Sequence, residues 1–304
     1  MKKEILIVGF FIVLFGCKTE EKTDDSKLNV VTTTTMITDL VKHIGGDLIN
    51  VEGLMGSGVD PHLYKASEGD VSKLFNADII FYNGLHLEGK LIEVFEKMEK
   101  QGKTPIGLAD GLNKEYLIGS DYFASNYDPH VWFNIYFFND FAEKIAEVLA
   151  EHDPKNKEVF EKNLSSFQTQ LTILQKGLAT TLKVLPKEKR ILVTAHDAFN
   201  YFGDFWDFEV VGLQGLSTAT EAGVQDVQKL SAFIIEKNIK AIFVESSVPK
   251  RTIEALQASV RSKGHEVKIG GTLYSDALGD NGTEEGTYIG MYEYNMRTIV
   301  NALK

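Results

Sequence analysis

Apolar and polar positions along this chain switch between two periods. Short β-branched or apolar runs bounded by Gly, Asn and Asp alternate with longer stretches whose apolar residues recur every three or four positions. The first run covers 30–34, and a helical pattern over 36–43 stops at Gly45-Gly46. A strand over 49–55 then leads into Gly56-Ser57-Gly58. The pattern next predicts a helix over 66–76, a buried strand over 78–83, a helix over 91–100, a strand over 104–108 and a long helical run ending at Leu149. The scheme is repeated beyond residue 190, with strands over 191–194, 208–213, 240–245 and 265–269. Helices are predicted there over 224–236, over 251–263 and through Leu303. Strand–helix alternation of this kind belongs to parallel sheets covered on both faces.

The stretch 154–185 interrupts the alternation. Phe160, Leu164, Phe167, Leu171, Leu174, Leu178, Leu182 and Leu185 recur at three- and four-residue spacing, Pro154 suits a first turn and Pro186 ends the run. At 1.5 Å per residue this helix would be roughly 48 Å long, more than one lobe needs. A coiled-coil seam would have the same spacing. With strand–helix patterns on both sides, the favoured reading is one helix docked across two lobes. The expected fold is therefore α/β, with two parallel-sheet lobes joined by one long backbone helix and a ligand site in the cleft between them.

With 304 residues, 43% of them apolar and 25% charged, the chain has ample material for two packed domains. A net charge of −11 with no basic stripe argues against nucleic acid as a partner. The N-terminus changes the picture more. Met1-Lys2-Lys3 precedes an apolar run over 5–15, too short to span a bilayer and of the form of an export signal. The run ends at Gly16-Cys17, and Leu14-Phe15-Gly16-Cys17 resembles a bacterial lipobox. That likeness implies lipidation of Cys17, which becomes the mature N-terminus. Cys17 is the only cysteine, so no disulfide framework exists. The polar segment over 18–27 reads as a flexible tether.

Candidate chemistry clusters at the strand ends. Asp60-Pro61-His62 recurs as Asp128-Pro129-His130-Val131-Trp132, one strand ends in Ala195-His196-Asp197, and Tyr274-Ser275-Asp276 follows another. Ligands in open α/β sheets bind outside the carboxyl ends of strands. His62, His196 and Asp276 fall just past such ends, and His130 starts a helix after a long loop. Three imidazoles and one carboxylate, two from each half, make a plausible four-ligand metal site.

These motifs, with Thr194-Ala195-His196-Asp197-Ala198-Phe199, Gly215-Leu216-Ser217-Thr218 and Thr272-Leu273-Tyr274-Ser275-Asp276-Ala277-Leu278-Gly279, resemble those of the metal-binding solute-binding proteins of ABC transporters. That family comprises zinc and manganese receptors with a rigid linking helix, and the likeness covers nearly the whole mature chain. It implies metal ligation by His62, His130, His196 and Asp276. Zn(II) or Mn(II) would be bound as cargo, an ABC permease would be the partner, and the molecule would be an anchored monomer. It would sit in the periplasm or on the outer face of the cytoplasmic membrane of a bacterium. A histidine at position 196, where manganese-dedicated members carry glutamate, is associated with zinc or with both metals. The expected domains are a signal peptide over 1–17, a tether over 18–27, lobes over 28–150 and 187–304, and the linking helix over 154–185.

Other residues have blander readings. His86 is the rival ligand, better placed as an outer or surface residue. His43, His152 and His265 read as solvated. Asp197 is a candidate partner for an imidazole N–H or an N-cap, Glu245 a buried hydrogen-bonding group, Trp132 packing, and Glu221 a surface residue facing a permease. Two other functions use the same residues: a surface adhesin with a structural metal, and a zinc metallohydrolase with water at an extra position. The export signal and two-lobe plan favour a non-enzymatic receptor.

Overall fold

A computed structural model describes residues 26–304 apart from Tyr122; the candidate signal peptide, Cys17 and most of the tether lie outside the described residues. In the first half, strands β1 (Leu28–Thr32), β2 (Ile49–Gly53), β3 (Ile79–Tyr82) and β4 (Ile106–Gly107) form a parallel sheet of order β2-β1-β3-β4. Helices α1 (Thr35–Gly45), α2 (Glu68–Asn76), α3 (Ile92–Glu99) and α4 (Ile135–His152) accompany it. Helix α5 (Lys157–Leu182) follows.

The second half adds β5 (Ile191–His196), α6 (Asn200–Trp206), β6 (Glu209–Gln214), α7 (Val224–Glu236), β7 (Ala241–Glu245), α8 (Arg251–Ser262), β8 (Lys268–Leu273) and α9 (Tyr288–Leu303). β5 pairs in parallel with β6, β7 pairs in parallel with β8, and β5 lies beside β7. The spatial order β6-β5-β7-β8 thus repeats β2-β1-β3-β4. The α/β plan with two parallel-sheet lobes is borne out.

Period-two burial explains why the strands read as unbroken apolar runs. Val30, Ile79 and Phe81 face one core, while Val31 and Ile80 face another that contains Leu74, Leu91 and Phe95. In the second half Leu192, Ala241 and Phe243 turn to the first core, whereas Val193, Ile242 and Val244 turn to a third with Leu230 and Leu256. The central core is therefore shared by strands of both halves, the second half being two adjacent two-stranded sheets, and by helices α1, α4, α5 and α9. Within it Phe138 of α4 stacks on Tyr288 of α9, with ring centroids 3.7 Å apart.

The larger differences from the expected boundaries lie at α5, β4 and β8. Pro154–Asn156 forms a 3₁₀ turn and α5 covers 26 residues, about 39 Å rather than 48 Å. It remains a single helix, packed on α1 and α4 of the first half and on α9 of the second. β4 is only two residues long, and β8 starts at Lys268 rather than 265, with an irregularity between Ile242 and Phe243 beside Gly270-Gly271. A Cβ at Gly270 would collide with Ala302 and Phe243, so only glycine lets α9 approach that strand.

Because one core serves both halves, Phe138→Ala is expected to lower the free energy of unfolding by about 3–5 kcal/mol, with both halves still melting in one transition. Urea unfolding followed by circular dichroism measures this. Two well-separated transitions in the wild-type protein would show that the shared core does not couple the halves.

Candidate metal centre

Each Asp-Pro-His tripeptide folds the same way. Asp60 Oδ1 accepts the His62 backbone N–H at 2.8 Å, and Asp128 Oδ1 accepts that of His130 at 2.9 Å. A carboxylate closing on the second residue ahead makes a tight turn, and the intervening proline fixes φ without adding a donor. The turn aims the imidazole that follows. His196 is the last residue of β5 rather than just beyond it, and Asp276 lies three residues past the end of β8.

The four side chains converge. One donor atom from each of His62, His130, His196 and Asp276 lies within 4.8 Å of the others, and all four residues are buried. His62 Nε2 is 3.2 Å from His130 Nε2. Asp276 turns both oxygens inward, with Oδ1 3.6 Å from His130 Nε2 and Oδ2 3.2 Å from His196 Nε2. Among the described residues, His196 Nε2 and Asp276 Oδ1 are buried without a hydrogen-bond partner, an arrangement that calls for a cation or proton between them. Donors about 2.0–2.2 Å from a central ion are separated by about 3.3–3.6 Å in a tetrahedron, so these distances fit one ion. The second inward oxygen of Asp276 offers a fifth contact.

Outer partners fix the rings. His130 Nδ1 is 2.7 Å from Asp128 Oδ1, so one aspartate closes the turn and orients the imidazole. Asp128 Oδ2 accepts from Asn200 Nδ2, and its carbonyl from the Tyr201 hydroxyl. His196 Nδ1 is 2.6 Å from Glu245 Oε2, while Glu245 Oε1 accepts the His196 backbone N–H at 2.8 Å. On the first tripeptide, Asp60 Oδ2 accepts the Thr218 hydroxyl at 2.5 Å and ties the His62 loop to the second half. Trp132 packs edge-on to His130 and donates its indole N–H to the Ser275 carbonyl, linking the loops that carry His130 and Asp276.

Electrostatics follow from these contacts. Burial pushes the His62 pKa down to about 3, against the pull of Asp276 and with help from the other imidazoles. For His196 burial acts the same way but is outweighed by the Glu245 and Asp276 carboxylates, which raise its pKa well above 6.5. Burial pushes Asp276 up, but His196 and the other two imidazoles hold it well below the usual carboxylate range.

Several individual readings change. Asp197 neither contacts an imidazole nor caps α6: its Oδ1 accepts the Gly212 N–H across the β5–β6 pair, because the adjacent strand is nearer than either alternative. The imidazole partners are instead Asp128 and Glu245. Both were visible as a carboxylate two residues before a histidine and a charge closing the apolar strand Ala241–Glu245. His86 is exposed, stands outside the convergent set, and rests against Phe123, which in turn meets the edge of His62. His43 is half-buried rather than solvated, with Nδ1 3.0 Å from the Asp39 carbonyl. Glu221 is exposed and paired with Arg251.

The His62 shift has a stability consequence. The unfolded chain takes up that proton near 6.5 and the folded chain near 3, so His62 costs stability progressively as pH falls between those values. In metal-free protein, His62→Gln is expected to flatten the acid limb by up to about 1.4 kcal/mol per pH unit. Urea unfolding at pH 4–7 tests it, and parallel profiles for the two proteins would contradict it.

Comparison with known proteins agrees with this architecture. A family model described as "Zinc-uptake complex component A periplasmic" matches residues 30–302. The manganese-binding lipoprotein MntA of Bacillus subtilis is 45% identical over 293 residues, covering 96% of this chain and 95% of that protein. The zinc-binding protein TroA of Treponema pallidum is also 45% identical over 293 residues, covering 96% and 94%. The solved structure of the periplasmic zinc-binding protein TroA from Treponema pallidum superimposes with a TM-score of 0.88, covering 91% of this chain and 99% of that one. With nearly its whole described length matched in sequence and in fold, the chain belongs to the family of zinc-uptake complex component A periplasmic proteins.

Proposed function

We propose that this protein is an extracytoplasmic solute-binding receptor that captures a divalent metal ion between two lobes and delivers it to the permease of an ABC-type uptake system. The observation that carries the proposal is the buried convergence of His62, His130, His196 and Asp276 within 4.8 Å. These four residues are the proposed ligands. Three enter from loops and His196 from the end of β5, two from each of two lobes, over 28–150 and 187–304, bridged by the helical segment 154–185. Cys17 is the proposed lipid attachment point, with the segment 18–27 as tether, and the molecule acts as a monomer.

The relatives do not choose the cargo, since the one named for manganese and the one named for zinc are equally similar to this chain. Donor chemistry does favour one. Three neutral imidazoles and a carboxylate suit tetrahedral Zn(II), and at a nitrogen-rich site zinc out-binds manganese on intrinsic affinity. The two inward oxygens of Asp276 supply the extra contact that manganese prefers, so Mn(II) is the second cargo. A transport receptor also accounts for this site more simply than a zinc hydrolase does, because the four donors are buried and already fill a tetrahedral shell.

Zinc and manganese titrations of purified wild-type and His196→Ala protein test the reading. One tight zinc ion per chain is expected. The variant should lose more than the roughly 100-fold that removal of an outer partner costs, and an undiminished affinity would remove His196 from the ligand set.

Proton competition falls more heavily on His196 than on His62. Metal must displace the His196 Nε2 proton, whereas His62 is already neutral down to about 3. Below the raised His196 pKa, zinc affinity should therefore climb as pH rises, with the His196 proton released on binding. Calorimetry in buffers of different ionisation enthalpy measures the release. A zinc affinity unchanged from pH 5.5 to 7.5 would contradict it.

A further inference from the structure

The turn after β3 stores backbone strain at a point where the ligand set makes no use of it. Gly84, Leu85 and His86 are three successive residues in the left-handed region, with φ of 89°, 49° and 66°. Glycine accepts this freely, but leucine and histidine do not. Two carboxylates hold the turn. Glu88 Oε1 accepts the Thr33 hydroxyl at 2.7 Å and the Asn83 N–H at 2.8 Å, its Oε2 accepts the Gly84 N–H at 3.3 Å, and Asp110 Oδ1 accepts the Leu85 N–H at 3.0 Å. Glu88 is only 2% exposed, and among the described residues no lysine or arginine forms an ion pair with it. A buried carboxylate satisfied only by hydroxyl and backbone donors is a costly way to close a loop, and observed strain of this kind points toward function.

What the strained turn delivers is Asn83. This side chain is buried, and its Nδ2 donates to the Pro129 carbonyl at 3.0 Å as well as to the Gly84 carbonyl at 3.2 Å. Pro129 directly precedes His130. The N–H of the same peptide unit is held by Asp128 Oδ1. A peptide bond is planar, so a donor on its oxygen and an acceptor on its nitrogen fix the whole plane. The His130 Cα and the direction of its imidazole follow from that plane.

We propose that Asn83 is a positioning residue for the metal site, setting the His130 imidazole by clamping the Pro129–His130 peptide, and that Glu88 holds the strained turn so that Asn83 can reach it. This rests on the ligand reading given above. Outer groups that orient a metal-bound histidine are worth about 10–100-fold in affinity, and Asn83 acts on the backbone where Asp128 acts on the ring.

The experiment uses the purified full chain loaded with zinc for affinity and with Co(II) for its ligand-field spectrum. Asn83→Ala removes the donor. Asn83→Asp keeps the size but faces the Pro129 carbonyl with an acceptor. Both are expected to weaken zinc binding about 10–100-fold and to shift the Co(II) bands. Leu74→Ala, in the core on the far side of the first sheet, is the control for lost stability alone. It should lower the Tm of metal-free protein while leaving zinc affinity and the cobalt spectrum unchanged. The proposal is overturned if Asn83→Ala matches wild type in affinity and spectrum, or if Leu74→Ala reproduces its loss. A wild-type protein that binds neither metal would instead sink the ligand reading itself.

Discussion

Burying a carboxylate among three imidazoles is the constraint on which the rest of the structure depends. The side chains of Asp276, His130 and His196 are fully buried, and water cannot solvate them. Taking such groups out of water is expensive unless each is paired. Glu245 and Asp128 therefore stand behind the imidazoles, and Asp276 is held ionised by the histidines it faces. Under the proposed ligand reading, a cation in this set would replace a proton on His196 and satisfy His196 Nε2 and Asp276 Oδ1 together. The same physics sets both the affinity and the cost of the empty site.

Holding four groups at metal distance requires loops that do not drift. The two halves contribute two candidate ligands each, yet they share one apolar core and are stitched across by hydrogen bonds from Trp132 to Ser275, Thr218 to Asp60 and Tyr201 to Asp128. Tyr288 and Tyr292 of α9 donate to the carbonyls of Trp132 and Phe133, two and three residues after His130. Large swings of one half against the other would break this core. Helix α5, packed on helices from both halves, stiffens the same arrangement.

Much of this was legible from residues alone. Period-two burial made the strands visible, and the two Asp-Pro-His tripeptides stood out because a proline between a short acceptor and a histidine defines one turn. Elements governed by long-range contacts were not legible. Glu245 reaches His196 only because β7 lies beside β5, a neighbour relation absent from local periodicity. Asp197 was misread for the same reason: Gly212 on the adjacent strand competes for its oxygen. The sequence pattern ends the last strand at 269, whereas β8 continues to Leu273, because Gly270 and Gly271, poor strand formers in isolation, are needed there for α9 to come close.

The most direct test of the account is X-ray absorption at the zinc edge of the loaded protein, compared with His130→Ala. About three imidazoles and one carboxylate at roughly 2.0–2.2 Å are expected, falling to two imidazoles in the variant. A shell made mainly of water and carboxylate oxygens, or one unchanged by the substitution, would contradict it.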